Sequence, residues 1–153
     1  MRHVYLKPGE CFASREPTII TTLLGSCVGV ALFDPIFKVG GLNHFLLPKG
    51  PEESHRYGEY SIPALIDLLI SEGANPQSLQ AKIYGGAAVL DNLLIGEGIG
   101  RQNIQVARDL LADYHIPLIA MDIGGTLGRK VSLNTKTFEV RCFSSSEMRR
   151  RAA

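Results

Sequence analysis

Short apolar segments rich in β-branched residues, with a period of two, mark strands at 18–24, 28–33, 39–47, 80–84, 117–122, 129–133 and 137–143. Asn134-Thr135-Lys136 separates the last two and predicts a hairpin turn. In the final strand Phe138, Val140 and Cys142 share one face and Glu139 and Arg141 the other, which makes Cys142 a core thiol. Twice the apolar spacing changes to the helical period. Ser61 reads as a cap with Pro63 in the first turn, Leu65, Ile66, Leu69 and Ile70 as the buried stripe, and Gly73 as the stop. A second helix over 101–114 carries Ile104, Ala107, Leu111 and Tyr114, with Pro117 beyond its end, and 89–94 predicts a short helical turn. This order of strands, helix, strand, helix and strands predicts an α/β domain with mixed sheets rather than a regularly alternating parallel one.

Composition narrows the class. The 153 residues suit one domain spanning 1–153, with 149–153, including Arg149-Arg150-Arg151, as a flexible solvated tail. Sixteen basic and 15 acidic side chains leave a net charge of +1, too little for a nucleic-acid-binding face. No apolar run approaches the roughly 18–20 residues that span a bilayer, so no membrane insertion is expected. The first residues lack the pattern of a secretion signal. Cys11, Cys27 and Cys142 are odd in number and scattered, which fits reduced thiols in the cytosol. The expectation is a soluble, cytoplasmic, single-domain protein.

The candidate chemistry lies in Leu24-Gly25-Ser26-Cys27-Val28 and in Asn43-His44. A small-residue turn delivers a cysteine to the start of an apolar run, and a histidine follows one strand later. A thiol becomes a strong nucleophile as the thiolate, and imidazole is the usual base that makes it one. The turn at Gly25 and Ser26 would also expose backbone N–H groups able to hold an oxyanion. From spacing alone the alternatives stay open: Cys27 as a small core residue, and His44 as a structural histidine. Cysteines and histidines show none of the close pairing of a metal site, and no cofactor is implied. Gly96-Glu97-Gly98-Ile99-Gly100 reads as a helix entry rather than a phosphate loop, and Gly124-Gly125-Thr126-Leu127-Gly128-Arg129-Lys130 lacks a Walker ending.

Leu24-Gly25-Ser26-Cys27-Val28, Asp34-Pro35, Gly41-Leu42-Asn43-His44, Leu47-Pro48, Arg56-Tyr57-Gly58, Ala81-Lys82-Ile83-Tyr84-Gly85-Gly86-Ala87, Asp122-Ile123-Gly124-Gly125 and Arg129 follow in an order and spacing that resembles the chemoreceptor glutamine deamidase family, CheD. The resemblance implies a layered α/β/β sandwich with mixed β-sheets, similar to some bacterial deamidating toxins. It implies a cysteine hydrolase that converts receptor glutamine side chains to glutamate and releases ammonia. By the same resemblance Cys27 is the nucleophile, His44 the general base and acid, and Thr21 the residue that orients His44. Chemoreceptors and a CheC-type phosphatase are the implied partners. Gln102 departs from the family, where arginine is common, and Arg101 stands beside it. An amidase or methylesterase acting on another protein, and a regulatory binding module, are the alternative functions.

Overall fold

In β3 (Thr18–Leu24), Ile20, Thr22 and Leu24 are buried, Thr21 is half-buried and Leu23 is exposed. That alternation is what a strand does when only one of its faces is covered. β4 (Val28–Asp34) is instead buried at every position. Val28, Val30 and Leu32 join the core under the helices, whereas Ala31 and Phe33 join a second core between the sheets. The computed structural model describes residues 1–88 and 98–152.

Two sheets are stacked. One has the order β1 (Arg2–Tyr5), β3, β8 (Arg129–Asn134), β9 (Val140–Ser144). The other runs β2 (Cys11–Ser14), β5 (Val39–Asn43), β4, β6 (Gln80–Gly85), β7 (Leu118–Ile123). Each contains one parallel pair, β1 with β3 and β6 with β7, so both are mixed. Helices α1 (Gly58–Ser71) and α2 (Ile99–Asp113) cover the outer face of the second sheet, and α3 (Ser145–Ala152) packs on β8 and β9. Helix, sheet and sheet make the α/β/β sandwich that the resemblance implies.

Several expectations shift. β1 and β2 are additional strands, too short for a periodic signal. β5 ends at Asn43 rather than at 47, because the side chain of Asn43 interrupts the ladder: its Oδ1 accepts from Val30 N at 2.7 Å. Ser61 is not the cap of α1, which begins three residues earlier after Tyr57 and carries Pro63 inside it. Ser61 is buried, and its Oγ accepts from Asn43 Nδ2 at 3.0 Å. Ile62, not Ile70, completes the buried stripe. Tyr114, expected on the inner face of α2, is largely exposed. Phe138 is buried in the turn, with φ of 66°, rather than in β9. Where the sequence predicts a tail at 149–153, the chain is helical through Ala152. The expected helical turn at 89–94 lies outside the described residues.

Candidate active site

Gly25, Ser26 and Cys27 form the bend between β3 and β4. All three carbonyls of the bend are engaged, which fixes its peptide planes. Gly25 O accepts from Ala87 N at 3.0 Å, Ser26 O from Asn103 Nδ2 at 3.0 Å and Cys27 O from Gly86 N at 2.9 Å. Gly85, with φ of 103°, has to be glycine here, because a Cβ would meet the Cys27 carbonyl at 2.3 Å.

His44 follows β5, and register decides where it points. Ala31 pairs with Leu42, and Val28 bridges Phe45 in the same antiparallel sense, so Gly29 stands across from His44. Side chains alternate along a strand, which puts Cys27 and His44 on the face turned toward the other sheet. Gly29 between them adds no side chain. The main chain of His44 is fixed as well, with its N–H donating to Glu10 O at 3.1 Å and its carbonyl accepting from Gly9 N at 2.8 Å.

The hydroxyl that meets His44 is that of Thr22, not of Thr21. Thr21 faces the outside of its sheet, and its hydroxyl pairs with Ser132 Oγ at 2.8 Å. Thr22, buried on the inner face, lies 2.7 Å from His44 Nδ1. The Thr22 hydroxyl donates to Leu6 O at 2.9 Å. A hydroxyl has one proton, and a carbonyl can only accept. Thr22 Oγ1 must therefore accept from His44, which places the ring proton on Nδ1. The neutral imidazole then carries its lone pair on Nε2, a buried atom without a hydrogen-bond partner among the described residues. The sequence does carry one signal for this: Thr22 shares strand parity with the apolar Ile20 and Leu24.

Burial sets the protonation states. It lowers the His44 pKa from 6.5 to about 4 and raises that of Cys27, where its own backbone N–H is the smaller, opposing influence. At neutral pH Cys27 is thus a neutral thiol and His44 a neutral imidazole. A folding consequence follows: the unfolded chain protonates this histidine near 6.5, the folded one only near 4. The stability from burying it neutral is fully present above pH 6.5 and is lost as pH falls toward 4. The gap is worth roughly 3 kcal/mol. Thermal melts from neutral pH down to about 4 should show this loss in the wild type and a shallower one in His44→Gln. An equal acid decline in both proteins would remove His44 as its source.

Asn103, in α2, was not singled out by the sequence. It occupies the buried stripe one helical turn before Ala107 and two before Leu111, and a polar residue there is the signal that could have found it. Beside the bend opens a cleft of about 300 Å³ with Gly86, Ala87, Gly98, Gly100, Gly124 and Gly125 on its walls. Arg101 also lines it, while Gln102 points out to solvent. Arg129 holds one side of that region, pairing with Asp122 at 3.0 Å and donating to Gly124 O at 2.9 Å. Among the described residues no cluster of His, Cys, Asp and Glu could hold a metal ion. No helix there is long and apolar enough to cross a membrane.

Comparison with known proteins adds the family. A model described as CheD chemotactic sensory transduction matches residues 46–144. The probable chemoreceptor glutamine deamidase CheD 2 of Geobacter sulfurreducens is 42% identical over 139 residues, covering 90% of this chain and 87% of that one. The probable chemoreceptor glutamine deamidase CheD 1 of Anaeromyxobacter dehalogenans is 44% identical over 130 residues, covering 84% and 76%. A counterpart from Sulfurimonas denitrificans is 36% identical over 140 residues, covering 89% and 90%. Among solved structures, the Bacillus licheniformis hypothetical protein YfiH aligns over 74% of this chain and 50% of its own at 17% identity, with a TM-score of 0.49, a likeness that carries no argument. With relatives this similar over most of its length, the chain belongs to the CheD family.

Proposed function

We propose that this protein is a cytoplasmic chemoreceptor glutamine deamidase that works through a cysteine thioester, without a cofactor. One observation carries the reading. The chain Leu6 O, Thr22 hydroxyl, His44 Nδ1–H leaves Nε2 of a neutral imidazole as a base on the face that Cys27 shares. As Cys27 Sγ attacks the carboxamide carbon of a glutamine, its proton passes to His44 Nε2, and a C–S bond forms while the carbonyl becomes an oxyanion. Backbone N–H groups of the Gly25–Cys27 bend would hold that charge. His44 then gives the proton to the departing nitrogen, the C–N bond breaks, and ammonia leaves in place of the far poorer amide anion. Water, deprotonated by His44, attacks the thioester and releases glutamate and the thiol.

Receptor and CheC-type phosphatase enter as partners through the family. A glutamine on an exposed helix would present its side-chain amide while its backbone amide stays in the helical ladder. Conversion should therefore occur without chain cleavage. Mass-spectrometric peptide mapping of a purified cognate receptor after incubation should show glutamine turned to glutamate at a few sites. Cleavage of the chain, or no conversion with a receptor known to couple to this protein, would end the deamidase reading.

A further inference from the structure

The side chain of Asn103 is fully buried, and its amide reaches two separate parts of the site. Nδ2 donates to Ser26 O at 3.0 Å and to Leu46 O at 2.9 Å. One carbonyl belongs to the residue before Cys27, the other lies two residues after His44. Both can only accept, so the amide has one allowed orientation: reversed, Oδ1 would face two oxygens. In that orientation Oδ1 is buried and has no hydrogen-bond partner among the described residues. The start of α2 is also pressed onto the turn after β6, where a Cβ on Gly100 would meet Gly86 O at 2.3 Å. The amide is thus held from the helix side as well.

We propose that Asn103 is a positioning residue for the oxyanion, an inference that rests on the deamidase reading. In a trans peptide the C=O and the next N–H point in opposite directions. Fixing Ser26 O on the amide of Asn103 therefore fixes the Cys27 N–H on the other side of that peptide, where the carbonyl under attack by Sγ acquires its negative charge. Leu46 O is the second anchor, which stops the amide from turning. Asn103 touches no reacting atom; it acts through the Cys27 N–H.

Two probes of Cys27 separate this role from general support of the fold. p-Nitrophenyl acetate acylates a thiol through a tetrahedral oxyanion, whereas iodoacetamide alkylates it by displacement at a saturated carbon. In Asn103→Ala and Asn103→Asp, acylation should slow roughly 10- to 100-fold, at or below the effect of deleting an oxyanion donor outright. Alkylation should stay within about twofold of wild type. Asn103→Ser, which keeps one donor, should fall between and serves if the others do not fold. On receptor, kcat should drop with KM nearly unchanged. Equal slowing of both probes, or wild-type acylation in a folded variant, would overturn the proposal. If the wild-type protein converted no receptor glutamine, the deamidase reading would fail, while the ratio of the two probe rates would still decide the role of Asn103.

Discussion

Alanine at Cys27 should reduce receptor deamidation by about 10⁴-fold or more, the scale on which losing a nucleophile acts, while binding of the receptor persists. Cys27 lies in a bend and packs, half-buried, against the small cluster of Leu24, Tyr84 and Val131. Truncation there removes one sulfur from the edge of a core, and its carbonyl and those of Gly25 and Ser26 keep their partners. The cost to folding should stay near the common value for point mutants, about 1 kcal/mol. No other thiol is placed to substitute. Cys142 is pushed up to about 12 by burial and by the nearby Asp122 carboxylate, so it is almost wholly protonated at neutral pH. Cys11 is raised too, by burial and Glu10, and lies in β2. The measurement is peptide mapping of receptor together with a binding titration of the same folded variant. Conversion at a rate close to wild type would place the nucleophile elsewhere, and lost binding would make Cys27 part of the interface.

Valine at Thr22 should cost roughly 10- to 100-fold in kcat, at or below the lower end of the ~10²–10⁴-fold that a positioned base contributes, while valine at Thr21 should change little. The two threonines are adjacent, and a strand sends them to opposite faces. Thr22→Val deletes the acceptor of the His44 Nδ1–H and the donor to Leu6 O in one step. Each buried group left without a partner costs about 1–3 kcal/mol, so a lower melting temperature should accompany the activity loss. Nothing then holds the ring proton on Nδ1, and the tautomer with the proton on Nε2 cannot take one from Cys27. Nitrogen NMR of the histidine side chain reads that shift directly. Thr21→Val breaks only the half-buried pair with Ser132, worth about 0.5 kcal/mol or less. A large activity loss confined to Thr21→Val would restore the assignment that family resemblance makes and discard the one read from geometry.

The pattern of apolar residues was enough to define β3, β4, β6 and β8 nearly to their ends, because each has β-branched residues bounded by a turn. The bend at Cys27 and the place of His44 one strand later were legible for the same reason, since both are local features. Family resemblance supplied the layers. The choice between Thr21 and Thr22 was different in kind. Alternation says that the two face opposite ways, and it cannot say which face another sheet will cover. That was settled when β3 laid Ile20, Thr22 and Leu24 against the second sheet. The end of β5 depended on a contact of Asn43 with β4 and α1, and the role of Asn103 on α2 meeting a bend far away in sequence. Even the charge states of Cys27 and His44 belong to the tertiary structure. Sequence determined that a cysteine stands in a small-residue bend and a histidine one strand later. Their neutrality comes from burial between two sheets, and desolvation of a group depends on everything packed around it rather than on its neighbours in the chain.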